Sequence, residues 1–124
     1  MEENVAKYIL FMRGSSAGFR EMAPEEIQRT IQKYEDWARS LMSQGRLRGG
    51  EKLKDDGVRT VRMDSGRIIM DGPYPETKET IGGYFVVEAN DYDEAAKLAQ
   101  ACPIYPYGGT VEVREIDPDN ARER

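Results

Sequence analysis

The residues best suited to chemistry in this sequence lie in one acidic loop that follows an apolar strand. The loop reads Asp71-Gly72-Pro73-Tyr74-Pro75-Glu76-Thr77-Lys78-Glu79. Glycine lets a ligand approach the backbone closely and proline holds the turn rigid. If Asp71 is partly desolvated near Tyr84, its carboxylate is suited to act as a general base or a ligand anchor. The alternative is a turn cap in which Asp71 accepts a hydrogen bond from its own backbone.

Residues around this loop supply a candidate apolar pocket with a polar rim. The tyrosines and a methionine near it are suited to line a cavity, or else to fill the core or an interface. The loop charges are a candidate rim, or else a solvated surface. Gly82-Gly83 either eases strand packing or lets a ligand reach the backbone. The predicted binding set, besides Asp71, is Tyr8, Met12, Glu51, Gly72, Pro73, Tyr74, Glu76, Lys78, Gly83 and Tyr84.

The sequence contains no histidine and a single cysteine, Cys102. This composition excludes histidine-based catalytic triads and the zinc, iron or copper sites that need histidine or several thiolates. Oxygen-ligand sites for magnesium or calcium stay open, but no EF-hand spacing is present. We therefore expect no cofactor and no bound metal. With no histidine to activate it, Cys102 is interpreted as a small apolar residue near a helix end.

The chain has 124 residues, a formal net charge of −5 and 39% hydrophobic residues. These values predict one globular domain over residues 1–117, followed by a charged tail over 118–124. A nucleic-acid partner is not expected, because the chain lacks the basic surface that phosphate binding needs. The apolar run from Tyr8 to Met12 is too short to span a bilayer, so no membrane partner is expected either. One cysteine and no signal peptide indicate the cytoplasm.

The elements that must position these residues alternate as strand, helix, strand, hairpin, strand, helix and strand. Helices are predicted from Pro24 to about Gln44 and from Asp91 to Ala101, because each begins with acidic residues and carries apolar residues at helical spacing. Strands are predicted over 5–13, 47–53, 58–63, 67–70, 81–89 and 110–116. The buried stripe of the first helix is predicted as Ile27, Ile31, Tyr34, Ala38 and Leu41, with Trp37 at its flank.

This order predicts an α+β, ferredoxin-like β-α-β-(β-hairpin)-β-α-β fold with both helices on one face of the sheet. Gly49-Gly50 indicates a bulge or a close backbone approach, and Asp64-Ser65-Gly66 indicates a tight hairpin loop. The first and fifth strands are apolar on both faces, so the sheet face without helices needs a cover. The simplest cover is a second copy of the sheet, which predicts a two-fold symmetric homodimer.

Five motifs are distributed along the chain: the Asp71 loop, Ile81-Gly82-Gly83-Tyr84-Phe85, Gly49-Gly50-Glu51-Lys52-Leu53, Asp91-Tyr92-Asp93-Glu94-Ala95 and the segment from Gly108 to Arg114. Together they closely resemble the YCII-related, or DGPF-domain, family over nearly the whole chain. The resemblance implies a dimeric α+β barrel in which two ferredoxin-like subunits pair their sheets. Some relatives are thought to use a histidine–aspartate pair, which this histidine-free chain cannot provide. Tyr74 stands where the motif commonly has phenylalanine.

Three functions are compatible with this sequence. The first is a small-molecule-binding or regulatory homodimer, which we rank first because no activated nucleophile or assembled acid–base pair is visible. The second is a cofactor-free enzyme doing isomerisation or elimination on a small organic substrate, with Asp71 as base and Tyr74 or Tyr84 as hydrogen-bond donor. The third is an accessory protein of transcription regulation, which the resemblance implies because some family members accompany sigma factors.

Overall fold

The computed structural model describes residues 5–14, 21–54, 56–72 and 80–118. Its elements follow the predicted order, and their bounds lie within about two residues of the predicted ones. They are β1 (Ala6–Gly14), α1 (Pro24–Ser43), β2 (Leu47–Lys52), β3 (Thr60–Asp64), β4 (Arg67–Asp71), β5 (Thr80–Ala89), α2 (Tyr92–Ala99), a 3-10 turn (Tyr105–Tyr107) and β6 (Thr110–Glu115).

Four strands form one antiparallel sheet in the order β2-β5-β1-β6. This is the strand order of a ferredoxin-like β-α-β-β-α-β fold once the hairpin of β3 and β4 is set aside, because that hairpin forms a separate two-stranded sheet. The predicted α+β fold class is therefore confirmed. None of the helices in the described ranges is both long and apolar enough to cross a membrane.

The core lies between the two helices and one face of the four-stranded sheet. Alternate residues of β1 point into it, and Tyr8, Leu10 and Met12 are at most 7% exposed. Val87 and Ala89 of β5 are fully buried beside them. From the other side the core is closed by Trp37, Leu41, Ala95, Ala99, Cys102 and Ile104.

The buried stripe of α1 is rotated relative to the predicted one. Trp37 is 5% exposed, whereas Ile31 is 45% exposed. The prediction that Trp37 flanks the stripe and Ile31 belongs to it was therefore wrong. The Trp37 indole can be buried because its Nε1–H donates to the Leu98 carbonyl at 3.0 Å and its ring packs on Phe85 at 4.8 Å between centroids. Thr30, in the same stripe, is buried as well.

The local turn signals of the sequence are confirmed. The loop between β3 and β4 is closed by Ser65 and Gly66, both at positive φ, which is the geometry of a two-residue hairpin turn. The register of β2 against β5 shifts between Leu47 and Gly49, as expected for a bulge. The helix α2 is capped by Asp91, whose carboxylate accepts from the Glu94 backbone N–H at 2.8 Å.

The face of the sheet opposite the helices also carries large apolar side chains. Ile9 and Phe11 of β1 lie there beside Tyr84 and Val86 of β5, since these residues pair directly across the two strands. All four are half-buried within the chain itself. This is the two-faced pattern that the sequence predicts for β1 and β5.

Candidate functional site

A cavity of about 500 Å³ lies between the N-terminal half of α1 and the neighbouring strands β2, β5 and β1. Its volume falls within the range of about 300–1,000 Å³ that is typical of small-molecule sites. Its lining is predominantly apolar. The lining residues are Met12, Thr30, Ile31, Tyr34, Glu35, Gly50, Glu51, Lys52, Gly82, Gly83, Phe85 and Ile104.

Glycines on adjacent strands explain why space remains beneath α1. Gly50 pairs with Phe85 and Gly83 pairs with Lys52 across β2 and β5, so neither glycine places a side chain under the helix. A Cβ atom on Gly50 would come within 2.4 Å of the Phe85 ring. The ring therefore lies directly over Gly50 and forms part of the cavity wall.

Phe85 connects the cavity to the only tryptophan of the chain. The ring centroids of Phe85 and Trp37 are 4.8 Å apart with the planes tilted by 40°. Trp37 is itself in contact with Tyr34, at 6.4 Å between centroids. A ligand that moves Phe85 or Tyr34 would therefore change the surroundings of the Trp37 indole.

Thr30 is the fully buried polar residue of the cavity wall. Its hydroxyl donates to the Glu26 carbonyl at 2.9 Å and lies 3.1 Å from the Tyr107 hydroxyl. The Tyr107 hydroxyl in turn lies 3.4 Å from the Glu26 carboxylate. Both contacts lie within the fold, so the Thr30 hydroxyl is satisfied where it is buried.

Tyr34 presents a neutral phenol to the cavity. Burial raises the pKa of Tyr34 well above its ordinary value, and the neighbouring Cys102 thiol, with which it shares a hydrogen bond, raises it further. Burial also raises the pKa of the Cys102 thiol, which is 3% exposed. Only the thiolate is reactive, and the raised pKa keeps this thiol protonated at neutral pH. Cys102 is therefore an unreactive core residue, as predicted.

The charged residues of the lining, Glu35, Glu51 and Lys52, are all exposed. The Lys52 ammonium donates to the Leu53 carbonyl at 2.5 Å, next to its own strand end. Charge is therefore concentrated at the solvent side of the cavity, and the inner wall carries only apolar groups and neutral hydroxyls. This arrangement suits a molecule with an apolar body and a polar end at the mouth.

The structure brings three of the predicted binding residues to this cavity, namely Met12, Glu51 and Gly83. Tyr8 lies elsewhere in the core, 3% exposed and packed edge-on against Tyr92. Tyr84 lies on the opposite face of the sheet, paired with Phe11. Their predicted binding roles stay predictions.

Asp71 and Gly72 lie at the end of the hairpin, outside the described lining of the cavity. The Asp71 carboxylate accepts from Arg62 Nε at 3.3 Å, and both side chains are about half exposed, at 46% and 56%. Pro73, Tyr74, Glu76 and Lys78 lie outside the described residues. The predicted association of this loop with Tyr84 and a cavity therefore also stays a prediction.

The sequence analysis did not predict that α1 forms one wall of the cavity, and it missed Thr30 and Glu35 in particular. A signal for it was present in the glycine pairs at 49–50 and 82–83, which remove side chains from two neighbouring strands. Ile31 and Tyr34 were predicted as core positions of α1. Because a helix and a glycine-rich sheet surface leave a gap between them, these positions line a cavity instead.

A second depression on the surface and the arrangement of possible metal ligands among the described residues do not offer a better candidate site. A depression of about 320 Å³ on α1 is lined by Trp37 together with exposed polar residues such as Lys33, Asp36 and Ser40, which makes it a surface dent. In the described ranges, no group of three or more carboxylate or thiol side chains is placed to hold a metal ion.

Comparison with known proteins gives a consistent picture. The model of the YCII-related domain matches residues 6–119, which is most of the chain. An uncharacterized protein of Rhizobium meliloti (strain 1021) is 30% identical over 95 residues, covering 74% of this chain and 77% of the relative. The match spans the strands and helices that enclose the cavity.

Proposed function

The chain belongs to the YCII-related domain family. We propose that it is a homodimer that binds a small organic molecule. The observation that carries this proposal is the apolar cavity of about 500 Å³ under α1. Apolar cavities with a few polar groups at their walls are the usual form of small-molecule sites. The apolar face of the sheet opposite the helices, where Phe11 and Tyr84 are only half-buried within the chain, supports the homodimer.

The lining favours one chemical class of ligand. Met12, Phe85 and Ile104 favour an apolar or aromatic body by contact and burial. Exposed charges at the mouth favour a polar end that remains in water. The proposed ligand is thus amphipathic and of modest size.

Filling the cavity tests this proposal. Anilinonaphthalene sulfonate, an amphipathic dye that binds apolar sites, is titrated into the wild-type protein and into Ile31→Trp. Ile31 lines the cavity and is 45% exposed, so a larger side chain there obstructs the mouth without overpacking the core. We expect the dye affinity to fall by about tenfold or more in this variant.

The matched control is Met42→Trp on the same helix. Met42 is 65% exposed and outside the cavity lining, so the same addition of an indole there should leave the dye affinity unchanged. Any dye that binds elsewhere on the surface contributes equally to all three proteins. Equal affinities of the wild type and Ile31→Trp would contradict the proposal.

A further inference from the structure

The hairpin of β3 and β4 presents one face made entirely of apolar side chains. Val61 pairs with Met70 and Met63 pairs with Ile68, and directly paired residues share a face of a sheet. Each of these four side chains is 60–67% exposed in the chain. Soluble monomers rarely leave an apolar group of this kind in water unless it binds something.

Apart from this face the hairpin is mostly polar, with one half-buried isoleucine, Ile69, and it lies outside the main sheet. On its opposite face Arg62 and Asp71 form an exposed ion pair. Within the described ranges, β3 and β4 pair only with each other, and they make no extensive contact with any other element. A two-stranded hairpin is marginally stable in water by itself and needs packing on its apolar face.

We propose that this hairpin is an arm whose apolar face, formed by Val61, Met63, Ile68 and Met70, packs against a second copy of the chain. This inference rests on the proposed homodimer. The chain has a second apolar surface that is only partly covered, the sheet face with Ile9 and Phe11. A single partner of the same sequence covers both surfaces, and two-fold symmetry repeats each contact.

The buried area also favours a dimer in which each arm packs on the body of the partner rather than on the partner's arm. Four residues exposed by 60–67% leave roughly 400–500 Å² of mostly apolar surface per hairpin. Two hairpins stacked on each other would bury about twice that area, which is still below the roughly 1,200 Å² of a stable interface. Arms that each cover an equal area of the partner bury about four times the single area, so together with the sheet contact they reach a stable dimer.

Methionine oxidation tests the arm with an internal control. Met63 and Met70 of the arm are 63% and 60% exposed in the single chain, and Met42 on α1 is 65% exposed. Hydrogen peroxide converts exposed methionine to its sulfoxide, and peptide mass spectrometry gives a rate for each residue. We expect Met63 and Met70 to react about fivefold or more slowly than Met42 in the dimer, and to lose this protection on dilution.

The outcomes separate the arm from the dimer. Equal oxidation of the three methionines in a protein with dimer mass would overturn the arm and leave the homodimer standing. A monomer mass in light scattering at micromolar concentration would overturn both.

A pair of variants tests the arm by a second route. Ile68→Lys, which places a charge on the apolar face of the arm, should weaken dimerisation by about tenfold or more. Met42→Lys, equally exposed in the chain and on α1, should leave it unchanged. Equal dissociation constants for these two variants would overturn the arm.

Discussion

At the residue scale, the partly buried phenol of Tyr34 should make the fold less stable at alkaline pH. Burial raises the pKa of Tyr34 in the folded chain above its value in the unfolded chain. Its contribution to stability is therefore complete below about pH 10, the ordinary tyrosine pKa, and is lost as the pH rises above that value. Above pH 10 the unfolded chain has released this proton while the folded chain still holds it.

We expect Tyr34→Phe to reduce this loss. Each such proton contributes a slope of up to about 1.4 kcal/mol per pH unit to the free energy of unfolding. Burial also raises the pKa of Cys102 and Tyr105, so the variant should keep a smaller slope rather than none. Urea unfolding at several pH values between about 9 and 11 measures the slope. Parallel curves for the two proteins would show that Tyr34 is not the group responsible.

Asp71 gives a second prediction at this scale. Its ion pair with Arg62 is about half exposed, so Asp71→Asn should change the free energy of unfolding by under about 1 kcal/mol. Dye affinity should be retained, because Asp71 does not belong to the described lining of the cavity. If the affinity fell as it should in Ile31→Trp, Asp71 would be a ligand anchor, as the sequence motif suggests.

Individual residue roles were only partly predictable from the sequence. The burial of Cys102 was predictable, because an apolar residue near a helix end without an activating histidine has few other roles. The burial of Trp37 was not, because it depends on a hydrogen bond to Leu98 that lies 61 positions away. Helical spacing alone does not reveal such a long-range partner.

At the element scale, Gly72 fixes the point where the hairpin leaves its base. Its φ is +120°, and a Cβ atom there would come within 2.1 Å of the Val58 carbonyl oxygen. Gly72→Ala should therefore destabilise the hairpin by more than Gly57→Ala, since Gly57 has a φ of +77° but no atom near its Cβ position. The strain of positive φ alone costs about 1–3 kcal/mol.

Amide hydrogen exchange measures this local effect across residues 60–71. In Gly72→Ala the hairpin amides should exchange faster than in Gly57→Ala, while the amides of β1 should exchange equally in both. Equal hairpin exchange in the two variants would mean that the chain shifts at Val58 to accept the methyl group.

The elements themselves were predicted well because their signals are local. Pro24 opens α1, Asp91 caps α2 and Gly66 closes the hairpin, each through contacts within a few residues. The cavity was less predictable, because it depends on the distance between α1 and two strands far apart in sequence. The glycines at 50 and 83 indicate that distance only once the strand pairing is known.

At the scale of the whole molecule, the proposed homodimer and the proposed ligand site use different sides of the sheet. The sheet face with Phe11 and the arm with Ile68 are both apolar, and in the single chain the first is only half-buried and the second is exposed. The cavity lies on the other side of the sheet, under α1. A homodimer would therefore bury the first two surfaces and leave one ligand site open in each subunit.

The most direct measurement of this account is native mass spectrometry of the full chain incubated with anilinonaphthalene sulfonate. The chain has a mass of 14.1 kDa. We expect the mass of a dimer that carries one dye molecule per subunit, with this occupancy lost in Ile31→Trp and kept in Met42→Trp. A bare monomer, or a dimer whose dye occupancy is the same in all three proteins, would contradict it.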